Sequence, residues 1–480
     1  MRRTFTALLT AALMAGTLGA AGQPAMAEPI SVIHGLDAPD AIDGSYLVVY
    51  KSSAPQGLDL TRSAPSGASH TFRSAVRGFA ATMNEQQARR LAAHPDVAFV
   101  EQNRRFRAID PTYAEPSTAT PQRSTTPRDV VTPNGPALPV PPMGRNVTAY
   151  VLDTGIRTTH TSLADPAPIW GTNTIGGPNS DCHGHGTHVA GIVGGKFSER
   201  WSAYNAQLVA VKVLDCVGYG TTASVVAGVD WVTANRTGPA IANMSLGSIA
   251  SPAVDQAVQN SIASGITYIV AAGNNASDAC AMSPARVPAA ITVGATHGNG
   301  QRAWFSNYGS CLDIFSQGVS VVSAWHTSTT ATSSLSGTSM AAPHIAALAA
   351  MYLSSNLTAT PAQVRAGVMA GATRGQVIDP GPNSPNVMYT AWLAPFPSLP
   401  GMPRISCESF QSSIQCASTT SGMVTEFAWF SSGSYVGGPE WLFMGCNPGF
   451  NYPIHLIVSN SGGARSSNTV QITCTNLPPV

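Results

Sequence analysis

Hydrophobic and polar positions divide the chain into stretches of different rhythm. Arg2 and Arg3 precede an apolar run over residues 5–21, and small residues follow at Ala25 and Ala27. This pattern predicts a secretory signal peptide over residues 1–27. No later stretch offers 18 clean apolar residues, so no membrane span is expected. Over residues 28–108, strand-like runs at 46–50, 72–79 and 97–100 and a helical period at 84–93 predict a small α/β unit. Residues 109–145 carry proline every few positions among Ser and Thr, which predicts an exposed linker. From 146 to 394 the rhythm alternates. Apolar strands at 147–152, 208–214, 240–244, 266–272 and 290–293 are separated by helical stretches at 188–194, 223–235, 252–264 and 339–354. Strands spaced by helices predict an α/β fold, a mostly parallel sheet with helices on both faces. A Pro-rich linker at 395–402 leads to residues 403–480. There, short runs at 425–431, 455–459 and 469–474 predict a small β-sandwich.

Composition narrows the function. Charged residues make up 10% of the 480, with 25 basic against 24 acidic and a net charge of +1. Such a chain is neither a nucleic-acid neutraliser nor a charged disordered tail, and no nucleic-acid or membrane partner is expected. Gly (45) and Pro (36) argue against a coiled coil. Eight cysteines behind an export signal predict disulfides.

Chemistry-bearing residues gather in the central block. Asp153 ends an apolar strand and is followed by Thr154-Gly155. In open parallel sheets ligands bind beyond such strand ends. His183, His185 and His188 crowd into eight residues; alone they would suit a metal, but the glutamate of a His-Glu-x-x-His zinc site is missing. Ser339 opens a helical stretch with Pro343 expected inside its first turn, where a missing N–H is harmless. Taken singly, these read as a turn aspartate, a histidine cluster and an N-cap.

Together they resemble the motifs of the subtilisin-like serine peptidases (subtilases), most closely the proteinase K branch. Ala149-Tyr150-Val151-Leu152-Asp153-Thr154-Gly155 is similar to the aspartate motif, Gly184-His185-Gly186-Thr187-His188 to the histidine motif, and Gly337-Thr338-Ser339-Met340-Ala341-Ala342-Pro343 to the serine motif. The order Asp, His, Ser agrees. The resemblance implies Ser339 as nucleophile, His185 as general base and acid, and Asp153 orienting the imidazole. His188 is read as structural. Ala271-Ala272-Gly273-Asn274-Asn275 resembles the family's asparagine motif, implying Asn274 as an oxyanion donor beside the Ser339 backbone N–H. Gly218, Tyr219 and Gly220, with Ser245, Leu246 and Gly247, resemble edge strands that pair with an extended peptide. Ala272 and Gly273 supply an uncharged floor, so a broad apolar or aromatic P1 preference is expected. Two departures stand out: Ser248 replaces a common glycine, and Trp201-Ser202-Ala203-Tyr204 replaces a usual Gly-Val-Ala stretch.

The resemblance carries further expectations. Cys182 with Cys216, and Cys280 with Cys311, resemble disulfides of heat-stable members. Asp313 with the carbonyls of Pro288 and Ala290 resembles a structural calcium site, and no cofactor is expected for the chemistry. Residues 28–108 resemble an inhibitor-type propeptide, a folding aid whose tail fills the cleft until cut somewhere in residues 109–144. The tail resembles immunoglobulin-like or polycystic-kidney-type modules, with Cys407–Cys416 and Cys446–Cys474 as its expected pairs. Trp429, Tyr435 and Trp441 are candidates for its core or for a polymer-binding face. The expectation is a secreted, monomeric serine endopeptidase made as a self-processed proenzyme, acting on proteins and peptides. The alternatives are a catalytically silent binding protein of the same fold and a zinc-dependent hydrolase.

Overall fold

The computed structural model describes residues 33–109 and 144–388 with side chains, except 164 and 197–201. Between residues 405 and 473 it describes the backbone of eight strands. The expected signal segment, the Pro-rich stretch beyond residue 109, Trp201, Cys446 and Cys474 lie outside the described residues, as do the side chains of Trp429, Tyr435 and Trp441.

A nine-stranded sheet organises residues 144–388. Its order is Thr373–Arg374, Val387–Met388, Ile314–Gln317, Ile291–Thr296, Ile266–Ala271, Ala240–Met244, Thr148–Asp153, Gln207–Lys212 and Ile169–Asn173. Every pairing is parallel except that between Thr373–Arg374 and Val387–Met388. Central strands are buried on both faces, which is why they read as unbroken apolar runs. Successive side chains alternate between two cores. Ala149 and Val151 join Val189, Val193, Ala341 and Ile345, from the helices His185–Gly194 and Thr338–Ser355. Tyr150 and Leu152 join Val225, Val229, Val254 and Val258 on the opposite face, from Thr222–Asn235 and Pro252–Ala263. Among the described residues, no helix is long and apolar enough to cross a membrane.

The N-terminal unit is a second sheet that borrows strands from the first unit. Its order is Met282–Ser283, Leu246–Ile249, Val97–Ala108, Ala41–Tyr50, Gly78–Thr82 and Ala68–Phe72, and Tyr219–Thr221 also pairs with Val97–Ala108. The helix Glu85–Ala92 starts at an Asn84–Gln87 capping box. Two expectations change. The apolar run 72–79 is not one strand but the end of Ala68–Phe72, a turn, and the start of Gly78–Thr82. The turn is held by Asp230, whose carboxylate accepts the N–H groups of Arg73, Ser74 and Ala75 at 2.7–3.1 Å. The strand expected at 97–100 runs on to Ala108. Its second half is too polar to announce itself and becomes a strand through partners elsewhere in the chain.

Between residues 405 and 473 the backbone forms two antiparallel sheets. Ile405–Phe410, Ser413–Ser418 and Trp441–Gly445 make one; Ser434–Gly437, Glu426–Ser431, Asn451–Asn460, Gly463–Ser466 and Val470–Thr473 make the other. Cys407 and Cys416 are directly opposite in register.

Candidate active site

Asp153 ends its strand at the carboxyl edge of the sheet, and His185 is the first residue of its helix. The imidazole Nδ1 lies 2.8 and 3.0 Å from the two Asp153 carboxylate oxygens, and both side chains are buried. Nδ1 therefore carries the proton, and a neutral ring presents Nε2 as an acceptor. Close approach of the two motifs requires Gly186: a Cβ there would come within 2.1 Å of the Gly155 carbonyl oxygen. Asp181 fixes the loop. It accepts from the Thr154 hydroxyl (2.9 Å), the N–H groups of His183 and Gly184 (3.1 and 2.8 Å), and both the N–H and hydroxyl of Thr187 (2.9 and 2.6 Å).

The histidine cluster is not a shared ligand set. His188 Nε2 donates towards the carbonyls of Val321 and Ser333, each at 3.1 Å, and burial pushes its pKa down to about 3. Among the described residues, no group of three or more His, Cys, Asp or Glu side chains is arranged to hold a metal.

Ser339 is the second residue of its helix, which starts at Thr338. Pro343 therefore lies beyond the first turn, contrary to expectation, and its missing N–H deprives the Ser339 carbonyl of a helical donor. The Ser245 hydroxyl fills that role at 2.9 Å and is itself held by the Asn243 amide at 2.9 Å. Neither the sequence pattern nor the motif signalled this bond.

Asn274 faces the same point. Its Oδ1 accepts the Thr338 N–H and hydroxyl, both at 2.9 Å, so its Nδ2 must point away from Thr338. Thr338 in turn accepts from the Gly273 N–H at 3.1 Å. Gly337 keeps this space open, because a Cβ there would meet Asn274 Nδ2 at 3.0 Å.

A segment of the chain itself occupies the cleft. Arg105, Phe106 and Arg107 pair antiparallel with Thr221, Gly220 and Tyr219; Arg107 and Ala108 pair with Gly247 and Leu246. The Ala108 N–H reaches the Gly218 carbonyl at 2.8 Å, and the Ile109 N–H reaches Ser245 at 3.3 Å. The Ile109 carbonyl oxygen then sits 3.2 Å from Asn274 Nδ2 and 2.9 Å from Ser339 Oγ, which also lies 3.1 Å from the Ser245 carbonyl. Ala272 is fully buried, and Phe106 and Ile109 are buried too. Ser248, the unusual residue, donates to Asp40 of the N-terminal unit at 2.6 Å.

Polar contacts lock the same strand at the starts of two helices. Glu101 is fully buried. It accepts from Ser251 Oγ at 2.6 Å and the Ala253 N–H at 2.8 Å, and pairs with the buried Arg104 at 3.1 Å. Asn103 accepts the Ala223 N–H at 3.1 Å. Burial raises the Glu101 pKa despite these bonds and Arg104.

Lys212 was not anticipated, although it is the one charge in an apolar run. It is buried beside Asp153 in register, and its ammonium donates to the Thr154 carbonyl at 2.5 Å. Burial lowers its pKa against the pull of Asp181, Asp153 and Asp215. Disulfides join Cys182 to Cys216 and Cys280 to Cys311.

The calcium expectation needs correction. Pro288 accepts from Arg365 Nη1 at 2.8 Å, and Asp313 Oδ1 pairs with Arg365 Nη2. Asp313 Oδ2 accepts the Thr292 N–H at 2.8 Å. Calcium seeks six to eight oxygen ligands, whereas here a guanidinium already engages one of the two expected carbonyls, that of Pro288, and the one expected carboxylate. Pro288, Ala290 and Asp313 do not form a fitting calcium set.

Comparisons agree with this architecture. Residues 144–388 match the Subtilase family, and residues 43–108 match Peptidase inhibitor I9. An extracellular serine proteinase of Thermus sp. (strain Rt41A) is 42% identical over 76% of this chain and 94% of its own length. Alkaline serine exoprotease A of Vibrio alginolyticus is 39% identical over 71% of this chain and 67% of its own. A solved cold adapted subtilisin-like serine proteinase is 44% identical, covering 51% of this chain and 89% of that one, with a TM-score of 0.49. The chain belongs to the subtilase family and is a serine protease with an N-terminal I9-type propeptide unit.

Proposed function

We propose that the protein is a secreted, monomeric endopeptidase of the proteinase K branch that matures by cutting its own Ile109–Asp110 bond. The observation that carries this reading is the Ile109 carbonyl oxygen, set between Ser339 Oγ and Asn274 Nδ2 at 2.9 and 3.2 Å. Ile109 is the P1 residue and its carbonyl carbon the centre attacked. Ser339 Oγ bonds to that carbon while its proton passes to His185 Nε2. Asp153 holds the imidazole by Nδ1 and balances the charge it gains. Asn274 and the Ser339 backbone N–H stabilise the oxyanion. His185 then returns the proton to the departing Asp110 nitrogen, leaving an acyl-enzyme that water hydrolyses.

Substrates repeat the binding mode of residues 105–109. Main-chain pairing with Gly218–Gly220 and Ser245–Gly247 accepts extended peptides regardless of sequence. Selection falls on the pockets, which here hold Ile109 at P1, Ala108 at P2 and Phe106 at P4. An apolar P1 and an apolar P4 are therefore preferred. The export-type N-terminus, the two disulfides and the extracellular Thermus relative support secretion. The two antiparallel sheets after residue 405 support the reading of a C-terminal β-sandwich module.

The deciding experiment is N-terminal sequencing of the processed protein beside a Ser339→Ala chain. The expected result is a new N-terminus at Asp110 in the parent and none in the variant. Normal processing of the variant in a protease-free preparation, or a different first cut, refutes self-cleavage at this bond. Digestion of a mixed peptide library, read by mass spectrometry, checks the P1 and P4 preferences.

A further inference from the structure

We infer that Arg365 is a covalently tethered cation, occupying the place a divalent ion would otherwise take between Pro288 and Asp313. Its guanidinium divides its donors between two oxygen types that attract a hard cation: a backbone carbonyl, through Nη1 at 2.8 Å, and a carboxylate, through Nη2. Arginine's planar fork suits this double engagement, while its charge persists at any working pH.

The surroundings give the fork a mechanical task. Arg365 projects from the helix Pro361–Ala370, anchored in the core through Val364 and Val368. Asp313 immediately precedes the strand Ile314–Gln317. Asp313 also exchanges backbone and side-chain bonds with Thr292, at 2.9 and 2.8 Å, at the start of the neighbouring strand. Pro288 belongs to the connection between Met282–Ser283 and Ile291–Thr296. Met282–Ser283 pairs with Leu246–Ile249, the strand that forms one wall of the cleft. One side chain thus ties a C-terminal helix, two sheet strands and the backing of the substrate wall. A bound ion can be withdrawn by a chelator, but a side chain cannot.

The test uses the full chain carrying Ser339→Ala, which removes self-digestion, with calcium chloride as the probe. Thermal midpoints are read in EDTA and in millimolar calcium, with calorimetric titration of calcium alongside. In the Arg365-containing chain, adding Asp313→Asn should leave any calcium response unchanged, because whatever calcium it binds is bound elsewhere. Arg365→Ala should lower the midpoint in EDTA by about 4 °C. It should also acquire a calcium-dependent recovery that Asp313→Asn abolishes. Calcium binding by the Arg365-containing chain that disappears with Asp313→Asn would overturn the proposal. So would an Arg365→Ala chain that gains no Asp313-dependent response, since the guanidinium would then not be standing at a cation position.

Discussion

Two strands of this molecule each lie between neighbours on both sides, for opposite reasons. Thr148–Asp153 is apolar, sits between Ala240–Met244 and Gln207–Lys212, and feeds a core on each face. Its own residues make it a strand. Residues 101–108 read Glu-Gln-Asn-Arg-Arg-Phe-Arg-Ala, a composition that favours solvent, yet Glu101, Arg104, Phe106 and Ala108 are buried. They form a strand because Ala41–Tyr50 pairs with residues 101–104, and Tyr219–Thr221 and Leu246–Ile249 offer two open edges to residues 105–108. The first strand is permanent and carries Asp153. The second adds polar bonds, which can be exchanged for water, to the burial of Phe106 and Ala108, and this suits the proposed maturation, in which the segment occupies the cleft and then leaves it.

Removing the proposed nucleophile tests this contrast most severely. Ser339→Ala should lower peptide hydrolysis by a factor on the order of 10⁶ while leaving the fold intact. Peptide turnover beside an unchanged circular-dichroism spectrum checks it, and the polar strand should then remain covalently attached. Asn274→Ala should reduce kcat by about 10²–10³ with little change in KM, since its amide meets the carbonyl oxygen and not the peptide's side chains. Steady-state kinetics on a short peptide decides between that and a KM effect.

Glu101→Ala attacks the polar strand itself. It strips the carboxylate from two helix-start donors and leaves the buried Arg104 guanidinium with the Ala250 carbonyl but no counter-charge from Glu101, at a cost of about 3 kcal/mol. The cleaved propeptide should then leave faster, read as a shorter lag before activity appears. The equivalent loss of packing in Thr148–Asp153, for example Val151→Ala, should lower the unfolding midpoint without shortening that lag.

The smallest effect is in pH. Burial holds Glu101 above its ordinary 4.5 and raises Asp255, nearby on the helix Pro252–Ala263, from 3.8 to about 6. Raised carboxyl pKa values mean that the folded form takes up protons relative to the unfolded one. Their contribution is whole below the ordinary values and is lost as pH rises through the raised ones. In the Ser339→Ala precursor, the combined Glu101→Gln and Asp255→Asn variant should therefore gain on its parent in thermal midpoint between pH 4 and pH 7. A difference that stays flat or runs the other way contradicts the assignment.

The same contrast explains what the sequence disclosed. The apolar strands and the turns bearing Asp153, His185 and Ser339 were legible, because local pattern and motif determine both. The extension of Val97–Ala108 was not, since residues 101–104 pair with Ala41–Tyr50, more than 50 residues back, and residues 105–108 with strands more than 100 residues ahead. Nor was the break within 72–79, which depends on Asp230. The calcium reading of Asp313 failed for a related reason. Arg365 lies 52 residues along the chain, on a helix that the apolar rhythm did not reveal, and supplies the positive charge. Ser245 shows how a visible residue can hide its use. It was expected in a substrate wall, but its hydroxyl also replaces the N–H that Pro343 lacks.

The bond between Cys182 and Cys216 has a further consequence. Cys182 precedes the loop that delivers His185, and Cys216 lies in the turn that opens onto Tyr219–Thr221. The His185 loop and the strand that pairs with residues 105–107 thus hang from a single covalent joint. Reduction would cut that tie and leave the loop hanging on hydrogen bonds, those of Asp181 among them, so the two elements would lose a shared anchor in one step.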